Sequence, residues 1–152
     1  MTSVVRMATT NTKSGFSEAE RAAMKARSEE LKASGRKGAK KADEAQVCLD
    51  RIAEMPDHDR GLAERFHAIV TTHAPTLDAK TWYGMPAYAL DGKVVCYFKP
   101  GEKFKTRYAT IGFEDPATLD DGNVWATCFA VTQLTAADED RLAELVRRAV
   151  GA

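Results

Sequence analysis

Aromatic side chains with polar tips are concentrated in the block from Trp82 to Tyr88. Indole and phenol rings offer large apolar surfaces that end in a hydrogen-bonding group, which is typical of the walls of small-molecule pockets. Gly84 permits a close backbone approach, and Pro86 lacks an amide hydrogen, which indicates an edge strand or a bulge. The candidate ligand-binding residues are Trp82, Tyr83, Pro86, Tyr88 and Tyr97. The alternative is that these rings are core residues whose hydroxyl groups are satisfied locally.

Basic side chains alternate with aromatic ones in the segment that follows. The candidate anion-binding residues are Lys99, Lys103, Lys105 and Arg107, and the rings among them belong to Tyr97, Phe104 and Tyr108. Together such residues can hold an anionic ligand or stack on the bases of single-stranded nucleic acid. A solvated hairpin tip is the alternative interpretation. The sequence pI of about 6.8 also lies well below the range typical of nucleic-acid-binding domains.

Few residues have the spacing that catalysis or metal binding requires. His67 and His73 are six positions apart, whereas two ligands on one helix face need a spacing of three or four. Asp115, Asp120 and Asp121 offer oxygen ligands for a hard cation, but the Gly-Asn pair that follows them is typical of a solvated turn. The sequence holds no nucleophile-elbow, zinc-protease, phosphate-loop or dinucleotide-binding motif. We therefore expect no catalytic residues, no metal site and no cofactor, and a protein that is not an enzyme.

Hydrophobic periodicity predicts the elements that position these residues. Apolar residues at three- and four-residue steps predict a helix over residues 42–55, a second that Asp57 caps and Pro75 closes, and a last one capped by Thr135. The predicted strands are residues 82–90, 93–98, 107–112 and 125–131. Hairpin signals such as Asp91-Gly92 join them, so the sheet is antiparallel. The expected fold class is α+β, an antiparallel meander packed with two preceding helices and a C-terminal helix.

The first 41 residues differ in charge from the remainder. They carry 10 basic and 4 acidic side chains, against 12 and 18 in residues 42–152. We interpret residues 1–41 as a basic arm, with a helix at about residues 17–33 and a flexible linker after Ser34, and residues 42–152 as the α+β domain. The arm either reaches an acidic partner or nucleic acid, or lies as a solvated helix on the acidic surface of its own domain. The true start, at Met1 or at Met7, stays open.

The overall composition is that of an ordinary globular domain. Of the 152 residues 44% are hydrophobic and 29% are charged, and the 22 basic and 22 acidic side chains cancel. No apolar run reaches the roughly 20 residues that a membrane span needs, and residues 1–12 lack the apolar core of a signal peptide. The three cysteines have no Cys-x-x-Cys spacing, which predicts free thiols in a reducing cytoplasm.

Two stretches of the sequence resemble a known family. They are Lys-Thr-Trp-Tyr-Gly-Met-Pro-Ala-Tyr at residues 80–88 and Gly-Lys-Val-Val-Cys-Tyr-Phe at residues 92–98. The Trp-x-x-x-Pro-x-Tyr pattern of Trp82, Pro86 and Tyr88 is the marker. These stretches are similar to the YdhG-like family of small bacterial domains of unknown function, some members of which are labelled iron chaperones by analogy with frataxin.

The resemblance covers about residues 42–150, and residues 16–32 resemble an extension carried by some members. It implies a compact α+β domain with a curved antiparallel sheet and no established reaction. We therefore expect a cytoplasmic binding domain that holds a small molecule or a protein segment against its sheet, as a monomer or homodimer. Two alternatives stay open: an iron-chaperone-like metal-binding protein, and a nucleic-acid or protein adaptor that uses the basic arm and the hairpin. We expect no membrane partner, and the composition disfavours nucleic acid.

Overall fold

The computed structural model describes residues 15–34 and 41–151, which form four helices and five strands. The helices are α1 (Glu18–Ser34), α2 (Lys41–Ala53), α3 (Asp57–His73) and α4 (Ala136–Ala149). The strands are β1 (Asp78–Trp82), β2 (Met85–Leu90), β3 (Lys93–Lys99), β4 (Ala109–Phe113) and β5 (Cys128–Val131). Three helices precede the sheet and one follows it, which confirms the predicted α+β class.

Two expectations concern residues beyond this range. The linker predicted after Ser34 and the start of the chain both lie outside the described residues. Of the helices that are described, none is long and apolar enough to cross a membrane.

The five strands form one antiparallel sheet in the order of the sequence, so the predicted meander is confirmed. Pro86 lies in β2, which is an interior strand, so of the two alternatives predicted from the sequence, an edge strand or a bulge, the edge strand is wrong. The pairing of β2 with β3 begins only at Ala87. Pro86, which has no amide hydrogen to donate, therefore lies one residue before this pairing and costs it no hydrogen bond. The register with β3 shifts two residues after the proline, between Tyr88 and Ala89.

Two tight turns of the same kind connect the first three strands. Asp91 and Gly92, with φ of 51° and 82°, form the hairpin turn that the sequence predicts. Tyr83 and Gly84, with φ of 55° and 78°, form an equivalent turn between β1 and β2. The single strand predicted over residues 82–90 is therefore wrong. A bulky residue is rare in the left-handed region, so a tyrosine at this position conceals the turn.

The register gives the sheet two different faces. Residues paired across antiparallel strands share a face, so Tyr88 lies with Cys96, and Tyr97 lies with Gly112 on the opposite side. The inner face packs against α2, α3 and α4 and builds the core. Its large, fully buried side chains and those of the helices above it include Phe66, Tyr88, Phe98, Ile111 and Val146. The outer face is the side that carries Trp82 and Tyr97.

Helix α1 lies outside this core, against the turn between β1 and β2. Ala23 and Ala26 are its buried residues, and a Cβ placed on Gly84 would lie 3.3 Å from the Cβ of Ala26. Small side chains therefore let the helix approach the turn closely. The predicted capping box at its start is confirmed, since Glu20 N–H donates to Ser17 Oγ (3.1 Å) and Ser17 N–H donates to Glu20 Oε1 (2.9 Å).

The loop after β3 is fastened to α3 by a buried carboxylate. Asp59 accepts hydrogen bonds from the backbone N–H groups of Gly101 (3.2 Å) and Glu102 (3.0 Å). A Cβ on Gly101 would lie 2.7 Å from the carbonyl oxygen of Tyr108, so only glycine fits at this crossing. The loop that carries Phe104 is thus fixed near both of its ends.

Candidate ligand-binding site

A cleft of about 320 Å³ opens between α1 and the outer face of the sheet. This volume is at the small end of the roughly 300–1,000 Å³ typical of ligand pockets. On the side of the arm it is lined by Phe16, Ala23 and Met24, and on the side of the sheet by Trp82, Tyr83, Met85, Tyr97 and Phe104. Glu20 and Lys99 are the charged residues of the lining. The cleft is therefore mostly aromatic and aliphatic, with charge at two points.

Three aromatic rings form its floor. Trp82 packs edge-on against Tyr83, with ring centres 5.2 Å apart, and lies tilted against Tyr97 at 5.5 Å. Tyr97 lies over Gly112 of the next strand, where a Cβ would overlap the phenol ring. The Tyr97 hydroxyl is 3.9 Å from Cys128 Sγ, and burial raises the pKa of Tyr97 to about 12. The hydroxyl therefore stays protonated at neutral pH and can donate a hydrogen bond.

A carboxylate of α1 binds the turn beside the cleft. Glu30 Oε1 accepts a hydrogen bond from Tyr83 N–H (3.0 Å), and Glu30 Oε2 accepts one from Gly84 N–H (2.9 Å). The Arg27 guanidinium lies 3.6 Å from Glu30 and 5.7 Å from the centre of the Tyr83 ring. Charge-assisted bonds of this kind are stronger than neutral ones, and here they hold α1 in place as one wall of the cleft.

Two lysines stand beside one ring at the edge of the cleft. Lys99 Nζ is 5.0 Å from the centre of the Phe104 ring, and Lys103 Nζ is 5.7 Å from it. Burial is the main cause that lowers the pKa of Lys103. Neither lysine forms an ion pair within residues 15–34 and 41–151. This edge of the cleft therefore carries positive charge that no carboxylate of the described chain neutralises at ion-pair distance.

The structure divides the five predicted ligand-binding residues between the two faces of the sheet. Trp82, Tyr83 and Tyr97 lie together in the cleft, whereas Pro86 and Tyr88 lie on the inner face and are buried. The structure thus brings three of the five together.

Tyr88 has the environment of a core residue. Its ring packs edge-on against Phe66, with centres 5.6 Å apart, and its hydroxyl lies 3.0 Å from His67 Nδ1. Burial raises the pKa of Tyr88 well above its usual range and raises the pKa of the adjacent Cys48 thiol to about 11. These contacts match the alternative in which the hydroxyl is satisfied locally.

The four predicted anion-binding residues do not form one group. Lys99 lines the cleft, and Lys103 lies beside the same Phe104 ring as Lys99. Lys105 is exposed, with a positive φ of 57°. Arg107 lies 5.4 Å from the centre of the Tyr108 ring and lines a separate depression beside His58. Two of the four therefore remain candidates for an anion at the cleft.

No group of three or more His, Cys, Asp or Glu side chains that could hold a metal ion occurs in the part of the chain that the structure describes. The Arg147 guanidinium donates to His73 Nδ1 (3.0 Å). Cys48 and Cys96 are free thiols in the core, where burial raises their pKa, and Cys128 is a free, exposed thiol on β5.

The contribution of α1 to the cleft was missed by sequence reasoning. The helix meets the sheet through Ala23, Ala26 and Glu30, so it lacks the stripe of large apolar residues that predicts docking. Met24 of the helix and Phe16, which precedes it, line the cleft and are exposed to water. The available signal was the pair of small residues Ala23 and Ala26, and alanines are also common in solvated helices.

Comparisons with family models, curated proteins and solved structures gave no match to this chain.

Proposed function

We propose that this protein is a binding domain for a small molecule, and that its site is the cleft between α1 and the aromatic floor. The observation that carries the proposal is the exposure of large apolar side chains around one concavity. Phe16 is 52% exposed, Met24 39% and Tyr83 36%. Apolar groups left in water around a single hollow mark a surface that a ligand covers.

The floor is arranged before a ligand arrives. Trp82 packs against the rings of Tyr83 and Tyr97, and the Tyr97 ring occupies the space that a Cβ on Gly112 would fill. Side chains that are already ordered lose little entropy on binding, so more of the contact energy remains as affinity. A volume of about 320 Å³ also fits a small molecule better than a protein segment. Free thiols at Cys48, Cys96 and Cys128 support a cytoplasmic location.

The test uses 8-anilinonaphthalene-1-sulfonate, whose emission rises in an apolar site. We expect saturable binding to the wild-type protein and weaker binding to Met24→Glu, which places a charge in the arm wall. Val47→Glu is the matched control, because Val47 is similarly exposed but lies on α2, away from the cleft. Near-ultraviolet circular dichroism of each variant checks that the fold is intact, since loosely packed proteins also bind this dye.

Equal dye binding by all three folded proteins would overturn the proposal. Two other results would replace it with the alternatives that the sequence left open. A one-to-one iron isotherm in calorimetry would favour an iron chaperone. Nucleic-acid binding that weakens steeply as salt rises would favour an adaptor.

A further inference from the structure

We propose that the cleft selects anionic amphiphiles, in particular monocarboxylates whose head lies beside Lys99 and whose apolar chain or ring lies over Trp82 and Tyr97. This inference rests on the proposed function and names its ligand class. It is supported by the position of the charges around the cleft. The lining is mostly apolar, and its positive charge lies at one side, at Lys99.

The positive charge at the cleft is available to a ligand. Lys99 is part of the lining, its Nζ lies 5.0 Å from the centre of the uncharged Phe104 ring, and it forms no ion pair with the described residues. Lys103 places a second ammonium group beside the same ring. Lys103 is not part of the lining, and Glu30 and Glu54 act on its charge, so Lys99 is the cation that a ligand anion in the cleft meets directly.

Glu20 is the carboxylate that the described residues contribute to the lining, and it is already hydrogen-bonded. Glu20 accepts the N–H of Ser17 at the start of α1. Bonds from Ser17 are the main cause that lowers the pKa of Glu20, and Lys99 contributes to the same shift. Glu20 and Lys99 are therefore close enough to interact electrostatically but form no ion pair. The Glu20 carboxylate instead caps the N-terminus of α1.

A cationic ligand would meet less favourable surroundings. Aromatic rings can hold a cation, but the Tyr83 ring already has the Arg27 guanidinium over it, and the Phe104 ring has both lysines beside it. A cationic head would therefore lie next to like charges. A neutral head group would gain no charge–charge attraction from Lys99. The cleft should therefore bind an anionic head group more tightly than a neutral or cationic one.

The experiment compares three probes with the same eight-carbon chain: octanoate, octanamide and octylammonium. Binding is followed by the fluorescence of Trp82 in a Trp125→Phe background, so that the exposed Trp125 does not contribute. We expect octanoate to bind about fivefold more tightly than octanamide, with octylammonium weakest, as one additional charge contact is worth up to about fivefold.

Lys99→Met tests the residue directly, because it removes the charge and keeps the length of the side chain. We expect this variant to bind octanoate and octanamide equally, Lys99→Arg to restore the preference, and the control Lys105→Met to behave as wild type. Equal binding of the three probes, a preference for the cation, or a preference that survives Lys99→Met would overturn the anionic class while leaving a ligand site. Absence of any Trp82 response to all three probes would overturn the proposed function as well.

Discussion

The carboxylate of Glu30 lies 2.9 Å from the backbone N–H of Gly84, and this bond joins the arm to the sheet. The same carboxylate also accepts the N–H of Tyr83 (3.0 Å), so both residues of the turn are bound by one side chain. In a two-residue hairpin turn these N–H groups point away from the strand ladder and need an acceptor from elsewhere. Helix α1 makes few large apolar contacts with the sheet, and these two hydrogen bonds hold it in place as one wall of the cleft.

The first prediction concerns this pairing. Glu30→Gln retains the shape of the side chain and loses its charge, so it should weaken the contact by about 1 kcal/mol, or roughly fivefold in the opening equilibrium. We expect the amide hydrogens of Tyr83 and Gly84 to exchange faster in hydrogen-exchange measurements. Glu29→Gln is the matched control, because Glu29 is exposed on the same helix. Unchanged exchange in Glu30→Gln would show that α1 is held by other contacts.

The second prediction compares two glycines. A Cβ on Gly112 would overlap the Tyr97 ring, so Gly112→Ala should displace that ring and destabilise the protein by about 1–3 kcal/mol. Gly61 lies in α3 with no neighbouring atom near its Cβ position, so Gly61→Ala should stabilise the protein by about 0.5–1 kcal/mol. Urea denaturation measures both. The same sign of change in the two variants would contradict the packing described for the floor.

The third prediction concerns the core tyrosine. Tyr88→Phe removes the hydroxyl that lies 3.0 Å from His67 Nδ1, so it should cost about 1–2 kcal/mol of stability and lower the melting temperature by a few degrees. Ligand affinity should not change, because Tyr88 lies on the inner face. Tyr108→Phe, at an exposed ring, should change neither quantity. Loss of ligand binding in a stable Tyr88→Phe variant would place the site on the other side of the sheet.

The fourth prediction concerns pH. Burial lowers the pKa of His67 in the folded protein below its ordinary value. Between these two pKa values the unfolded chain therefore binds more protons than the folded one, so stability falls as the pH is lowered through about 6.5 and below. We expect the melting temperature of His67→Gln to depend less steeply on pH than that of wild type. An equal slope in wild type and His67→Gln would contradict burial of His67 as a source of the pH dependence.

Local signals predicted much of the fold. Capping boxes at Ser17–Glu20 and Thr135–Asp138 form as predicted, because each depends on residues only three positions apart. The alternation of β3 likewise places Tyr97 on one face and Phe98 on the other, as the period of a strand requires. Asp57 was expected to cap α3 with its side chain, but that carboxylate pairs with Arg60 (2.8 Å) instead.

The candidate site depended on a turn that the sequence concealed. In one continuous strand over residues 82–90, Trp82, Pro86 and Tyr88 would share a face, since side chains alternate with a period of two. The turn at Tyr83-Gly84 pairs Trp82 with Met85 and so moves Trp82 to the outer face, away from Tyr88. Register therefore decides which tyrosines meet the tryptophan, and here a two-residue turn sets it, with a tyrosine at a position where a left-handed residue is not expected.

The central claim is that the cleft between α1 and the floor holds a ligand, and intermolecular nuclear Overhauser effects test it most directly. With octanoate as the probe, we expect effects from its chain protons to the indole ring of Trp82, the ring of Tyr97 and the methyl group of Met24, which lie on the sheet and arm sides of one cavity. Effects to the indole of Trp125 alone, or to none of these groups at saturating probe, would contradict the account.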